Sequence, residues 1–503
     1  QLNNGYINTA YIINDISRAF TNLRDFHELY CFGHLTEAAC AYYLATGEDK
    51  LLNAAKRFAG LICETFGADK TKGYPGHEEA ELALVKLYEL TGEKRYLDTA
   101  AYFIDERGKK PYYFDAEHGN KSGDDYRYQQ AHIQPRLQRE ATGHAVRAVY
   151  LYSGMADVAK YTDDDGLYDA CRALAENIIT KQMYITGGIG SSSDGEAFTF
   201  NYDLKNDLAY CETCASIGFI FFARRMLEIE PNAAVAAAAE RALYNTVLSG
   251  MSEDGKRFFY VNPLAALPEA SEKDRRKRHV KTVRQKWFAC ACCPPNLARL
   301  IGSLGEYALT ENESAVYVHQ YIGGEYKTVN GALVIESSYA ENGSVRIQVT
   351  PDKAFTLAVR LPDWCRAYSI SEEYRIKDGY ALIDITGKTE ININFEIAPR
   401  LVKCSNRVRE NIGRVAVMRG PLVFCAESAD NGSELQMLKI KRGGRLSYSN
   451  GIITAEGLRE KPDDELYSDY KEAEAVETEI KLIPYYKWGN RGENEMAVYL
   501  NIE

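Results

Sequence analysis

The sequence predicts a multidomain chain, α-helical in its first part and β-rich in its second, and three observations carry that prediction. Up to about residue 307 apolar residues recur every three or four positions, with helix-forming stretches such as Ala233–Thr246. From residue 308 onward the period falls to two, as in the run Ser344–Val349 and again in Thr389–Phe395, with Gly, Asn and Asp between the runs. Within the helical part a Gly-His pair recurs at 33–34, 76–77 and 143–144, each time beside a helical hairpin.

The helical part spans 1–307. Gly33-His34 is expected to begin a helix that ends at Thr46-Gly47 and is followed by a second over 50–66; Gly76-His77 to begin one ending at Thr91-Gly92, followed by a second over 95–106; and Gly143-His144 to begin a third, followed by one over 166–181. Hairpins repeated at this length stack to bury their apolar faces, either as an open solenoid or as a closed ring. Two further helices open at equivalent points with cysteine in place of histidine, at Thr213-Cys214 and at Cys292-Cys293, the latter followed by two prolines suited to a first helical turn. A ring would gather His34, His77, His144, Cys214 and Cys293 at one end of a central cavity; a solenoid would string them along a ridge. Five chemically capable residues at one repeat position favour the ring. Two β modules follow, over 308–411 and 412–503.

Composition narrows the function classes. The 503 residues, 46% hydrophobic and 26% charged, suffice for about two to four domains with at least one large core. No run approaches the roughly 18 apolar residues of a membrane helix, so no membrane partner is expected. The net charge of −11 is spread along the chain, and the one basic run, Lys273–Arg278, is short and mixed with acid, so no nucleic-acid partner is expected either. Tyrosine is abundant, 36 against 18 Phe and 3 Trp, which suits half-buried strands and carbohydrate clefts alike.

The 12 cysteines do not read as a disulfide framework. Cys40, Cys63, Cys171 and Cys425 sit singly in apolar stretches, where a thiol behaves as a small hydrophobe. Others crowd into Cys211–Cys214 and Cys290–Cys293, too close for ordinary bridges and better suited to a metal. A reducing, cytoplasmic setting is expected. The first residues carry neither an initiator methionine nor a signal-peptide pattern, so an upstream segment is expected, and a signal peptide within it stays open.

Cys211-Glu212-Thr213-Cys214 and Cys290-Ala291-Cys292-Cys293 together offer ligands for a tetrahedral zinc ion, although neither half has zinc-ribbon spacing. A closed structural site remains open on spacing alone. A coordinated thiol is deprotonated, and a helix start lowers its pKa further, so one of these sulfurs is also a candidate nucleophile. The loop 187–196, small and glycine-rich, ends in Glu196, a candidate general acid. Tyr260, in the apolar run 258–261, reads as a buried strand residue whose hydroxyl needs a partner. His27, His118, His132, His279 and His319 lack the Gly-His context and receive no role.

These motifs resemble glycoside hydrolase family 127, the β-L-arabinofuranosidases. The matching segments are 27–34, 73–77, 143–150, 186–191, 195–198, Glu212–Ser216, 258–263 and Cys290–Asn296, with a last one at 483–492. The resemblance implies an (α/α)6 barrel, with its first helices lying upstream of this sequence, followed by two β-sandwich domains. It implies zinc held by Glu212, Cys214, Cys292 and Cys293, Cys292 as nucleophile and Glu196 as general acid/base. His34, His77, His144 and Tyr260 would line the sugar subsite. The activity implied is exo-acting release of L-arabinose from β-L-arabinofuranosides with retention, by double displacement through a thioglycosyl intermediate; the implied partner is the carbohydrate substrate, with a homodimer left open. The alternatives are a hydrolase of the same family acting on another furanoside or related plant-polysaccharide sugar, and a non-catalytic carbohydrate-binding protein with a structural zinc. A zinc-activated water is disfavoured, because four protein ligands leave it no position.

Overall fold

A computed structural model describes residues 1–119, 123, 125–463 and 465–503. The chain forms two compact units: residues 1–180 with 194–199 and 221–229, and residues 181–193 and 200–220 with 230–503. The class is multidomain, helical first and β-rich after.

The first unit is built from the expected helical hairpins. Glu28–Thr46 pairs with Lys50–Thr65, Ala80–Thr91 with Lys94–Glu106, and Ala145–Thr162 with Asp165–Asn177. The first members of the first two pairs stop where expected, at Gly47 and Gly92, whose N–H groups close onto the carbonyls of Tyr43 and Tyr88. Ala145–Thr162 is buried on every face from Ala145 to Ala159, which marks it as the centre of this unit. Its Tyr152 meets Phe222 from the segment 221–229 at 5.6 Å between ring centroids.

The Gly-His pairs do not all open helices. Gly143-His144 does, with His144 capping the helix that follows; Gly76-His77 lies three residues before its helix. Gly33-His34 sits in the second turn of a helix that begins at Glu28. The shared requirement is space. A Cβ at Gly33 would stand 2.6 Å from Glu79 Cγ, and one at Gly76 would stand 2.2 Å from the Arg24 carbonyl oxygen. The glycines let backbone approach beside each histidine.

In the second unit, residues 309–395 form two five-stranded sheets. One runs in the order 368–370, 389–395, 344–351, 331–338, 324–328, the other 375–377, 380–385, 355–360, 315–318, 309–311. Alternation decides which side chains turn inward: Leu333, Ile335, Ile347, Val349, Ile391 and Ile393 of one sheet share a buried core with Val316, Leu357, Val359, Ile383 and Ile385 of the other. A ten-stranded sheet takes up the strands from Pro399 to Ile502 and adds Ala265–Ala266 at its end. Pro399–Lys403 is already part of it, paired antiparallel with Arg414–Arg419.

Both faces of that sheet are buried, by the same alternation. Val415, Val417, Phe424 and Ala426 face a core with Ile453, Ala455, Ile480 and Leu482. Ala416, Met418, Val423 and Cys425 face Tyr184, Ala209, Phe259, Leu264 and Trp488. The C-terminal strands thus form the floor under Tyr184, Ala209, Phe259 and Leu264 of the same unit. Cys40, Cys63, Cys171 and Cys425 are buried free thiols, as their apolar contexts predict. Among the described residues no helix is long and apolar enough to cross a membrane.

Candidate active site

Glu212, Cys214, Cys292 and Cys293 converge in the second unit. Their ligand atoms all lie within 4.8 Å of one another. Two local structures bring them there. The segment 211–214 is clamped to 259–262: Glu212 bridges to Val261, Thr213 N–H donates to the Tyr260 carbonyl at 2.9 Å, and Thr213 Oγ1 donates to the Phe259 carbonyl at 2.7 Å. Asn262 Nδ2 closes the clamp on the Cys211 carbonyl at 3.0 Å and on Thr213 Oγ1 at 2.9 Å. Cys214 therefore enters the first turn of the helix Thr213–Ile229. Cys293 opens the helix Cys293–Gly302, with prolines in the first turn where no N–H is needed, and Cys292 is its N-cap.

The spacing of the four donors fits a tetrahedral metal. Ideal zinc geometry, with S ligands at about 2.3 Å and O at about 2.0 Å, places two sulfurs about 3.8 Å apart and sulfur and oxygen about 3.5 Å apart. The observed separations are 3.4 Å for Cys214–Cys293, 3.9 Å for Cys292–Cys293, 3.5 Å for Cys292–Glu212 and 4.0 Å for Cys293–Glu212. Three soft thiols and one carboxylate suit a borderline-soft divalent ion. Hydrogen bonds from the Cys214 and Cys293 thiols, with the Tyr260 hydroxyl at 3.5 Å, hold the Cys292 pKa well below the ordinary thiol value. Burial pushes Cys214 and Cys293 the other way.

The four members are unequally reachable. Glu212, Cys214 and Cys293 are 2%, 1% and 0% exposed, whereas Cys292 is only half-buried. Cys290 is exposed, 3.7 Å from Cys292 Sγ. Cys211 takes no part: a positive φ of 44° turns it into the core against the C-terminal sheet.

The cluster stands on the β module. Phe259, next to Tyr260, stacks on Trp488 with 4.6 Å between centroids. Arg284 lies 4.4 Å from the Phe259 ring centroid and donates to the carbonyls of Ser249 at 2.9 Å, Trp488 at 2.6 Å and Tyr486 at 3.0 Å. The glycines at 187–188 admit close packing. A Cβ at Gly187 would meet Ala242 backbone at 2.4 Å, and one at Gly188 would meet Cys211 Sγ at 2.7 Å.

In the first unit the structure gathers His34, His77, His144 and Glu196. Glu196 arrives through a two-residue antiparallel pairing, Gly143 with Phe198 and His144 with Ala197, which places its Oε2 3.1 Å from His144 Nε2. Its backbone is held at a φ of 51°, directly after Gly195 at 68°. His34 Nδ1 lies 3.2 Å from the fully buried carboxylate of Glu79. His77 Nδ1 contacts the Glu78 carbonyl at 3.0 Å; burial, with Arg147 nearby, holds its pKa well below the ordinary histidine value.

Several neighbours were not singled out from the sequence. Tyr30 touches both His34 and His77, each at 4.4 Å between centroids, and His27 stands 5.6 Å from His77. A signal existed: residues 27, 30 and 34 share one helical face. Glu79 had none, because its partner His34 lies 45 positions away.

Comparison with known proteins gives a consistent match. Residues 1–306 match the family model described as β-L-arabinofuranosidase, GH127 catalytic domain. Residues 315–398 match the GH127 middle domain and 399–501 the glycoside hydrolase family 127 C-terminal domain. A non-reducing end β-L-arabinofuranosidase of Bifidobacterium longum subsp. longum is 37% identical, over 99% of this chain and 83% of the relative. The crystal structure of a GH127 β-L-arabinofuranosidase from Geobacillus stearothermophilus T6 superposes with a TM-score of 0.96 at 46% identity, covering 100% of this chain and 84% of that one. A second GH127 β-arabinofuranosidase structure gives a TM-score of 0.88 at 36% identity, covering 100% and 82%.

Proposed function

We propose, from the premise that the chain belongs to glycoside hydrolase family 127, the β-L-arabinofuranosidases, that it releases L-arabinose from the non-reducing end of β-L-arabinofuranosides with retention of configuration. As a member of that family it is a glycoside hydrolase and acts on a carbohydrate. The observation that carries the finer reading is the unequal exposure of the thiol cluster. Of its four donors, three are sealed and Cys292 is reachable.

A retaining glycosidase needs a nucleophile and an acid/base; carboxylates usually fill both roles. In this reading Cys292 Sγ replaces one of them. Glu212, Cys214, Cys292 and Cys293 would hold a zinc ion, which when bound supplies positive charge that keeps the sulfurs deprotonated at neutral pH. Cys292 Sγ forms a bond to the anomeric carbon as the bond to the leaving oxygen breaks, and Glu196 delivers its proton to that oxygen. In the second step Glu196 takes a proton from water, the water oxygen bonds to the anomeric carbon, and the sulfur departs with its electron pair. The sugar is thus inverted twice. His34, oriented by Glu79, with His77 and Tyr260, is assigned to the sugar hydroxyls.

The test is a panel of nitrophenyl glycosides with the product anomer followed by NMR. Rapid hydrolysis of the β-L-arabinofuranoside with β-L-arabinose as first product is expected. Preference for another furanoside would reassign the substrate, and an inverted product would exclude a covalent glycosyl-enzyme.

A further inference from the structure

Tyr128 is held on several sides and is still 38% exposed. Its ring lies over the guanidinium of Arg147, whose central carbon stands 4.3 Å from the ring centroid, and meets the His144 ring at 5.2 Å and an angle of 82°. Arg147 is buried and donates to the Gly76 carbonyl, so the cation behind the ring is fixed in place. Gly195 adjoins the ring edge: a Cβ there would stand 3.5 Å from Tyr128 Cδ2, an ordinary van der Waals contact, and Glu196 is the next residue along the chain. The surface that the ring keeps open faces away from Arg147.

The turn that presents this ring is strained on both sides. Tyr126 at φ 59° and Gln130 at φ 56° both occupy the left-handed region, which non-glycine residues rarely adopt. Gln130 Nε2 holds the turn by donating to the carbonyls of Arg127 at 3.1 Å and Thr142 at 2.7 Å. The Arg127 carbonyl fills the space where Gly143 lacks a Cβ. Single exposed aromatic residues are common and need no such support. Strain retained around one exposed ring marks a ring whose position matters.

We propose that Tyr128 is a specificity-determining residue: the platform on which the first sugar ring of the leaving group lies. This rests on Glu196 being the acid/base, as proposed above. The departing oxygen receives its proton from Glu196, so the unit bonded to that oxygen is held beside Glu196. An enzyme that removes a terminal sugar from a longer chain has another sugar on that side. A sugar ring carries an apolar C–H face, and tyrosine offers it a flat apolar partner of similar size. Because the ring is immobilised before the substrate arrives, little freedom is lost when the two meet. A leaving group as small as methanol presents no such face.

The test compares kcat and KM on a β-L-arabinofuranosyl-arabinose disaccharide with those on methyl β-L-arabinofuranoside. Tyr128→Ala is expected to lose about tenfold in kcat/KM on the disaccharide, as a raised KM, and less than about threefold on the methyl glycoside. Tyr128→Phe, which keeps the face and gives up the hydroxyl, should stay within about threefold of the wild type on both. Tyr128→Leu keeps bulk over Arg147 without the flat ring, and repeats the comparison if the alanine variant unfolds. Equal losses on the two substrates in a folded Tyr128→Ala or Tyr128→Leu would make the ring a structural support and overturn the proposal. So would a Tyr128→Phe as impaired on the disaccharide as Tyr128→Ala, because the hydroxyl and not the face would then be at work. Glu196→Gln distinguishes the two levels. If it turns over the methyl glycoside at the wild-type rate, the acid/base reading fails and the platform loses its place beside the leaving group. If it is inactive while the Tyr128 variants treat both substrates alike, only the platform fails.

Discussion

Gly143→Ala probes the junction that carries Glu196 to His144. Gly143 has a φ of +69°, and a Cβ there would stand 2.0 Å from the Arg127 carbonyl oxygen and 2.6 Å from its carbon. The left-handed backbone alone costs an alanine about 1 kcal/mol. The contact adds more, because both partners are backbone and an ordinary Cβ contact begins at 3.4 Å, so the two segments must part by about 1.4 Å. A misplacement of about 1 Å at a reacting group costs on the order of 100-fold in rate. Gly47→Ala supplies the control: its φ is +76°, yet nothing lies within 4 Å of the added methyl. It should carry the backbone cost alone, with unchanged turnover. Thermal midpoints at a fixed scan rate and kcat/KM on nitrophenyl arabinofuranoside, measured for both variants, decide the matter. Gly143→Ala should melt lower than Gly47→Ala and lose about 100-fold in activity. If the two behave alike, the pairing of 143–144 with 197–198 does not position the carboxylate.

Other perturbations have equally defined outcomes. Arg284→Met keeps apolar bulk on Phe259 but leaves three carbonyls without their donor; a loss of about 3 kcal/mol is expected, read as a lower thermal midpoint with reduced kcat, and a wild-type midpoint would remove the β module as a support for the site. Cys214→Ala and Cys293→Ala should abolish stoichiometric metal, measured by plasma mass spectrometry on dialysed protein, while Cys211→Ala should retain it; loss of metal in Cys211→Ala alone would redraw the cage. Burial beneath Arg360 pushes the His319 pKa down to about 3, against about 6.5 in the unfolded chain. The unfolded chain then binds the extra proton between those values, so stability falls as pH drops from about 6.5 toward 3. His319→Gln should unfold at a lower pH by circular dichroism, and an unchanged or higher midpoint would contradict the assignment.

Features whose partners are near in sequence were legible, and those built by distant contacts were not. The change from helix to strand near residue 308 follows from a change of period, and the strand Thr389–Phe395 buries the alternate residues that its pattern predicts. Cys214 and Cys293 could be placed together because each opens a helix at a repeated position. The glycine of Gly33-His34 was read as a helix start, yet it is there to admit Glu79, 46 positions on. Cys211 looked like a ligand by spacing, and a single positive φ sends it to the opposite side. The support of Phe259 by Trp488 joins residues more than 200 apart, and no periodicity announces such a contact. His27 and Tyr30 were legible in principle, since helical spacing sets them on the face of His34.

The assignment of Cys292 as nucleophile has a direct test. Glu196→Gln incubated with dinitrophenyl β-L-arabinofuranoside should release one equivalent of phenol in a burst and then stall, because the first step needs little acid while the second lacks its base. Intact-mass spectrometry after rapid quenching should show one dehydrated pentose added, and peptide mapping should place it on the Cys292 sulfur. An adduct on a carboxylate or on another cysteine, or steady turnover with no adduct at any time, would contradict the assignment.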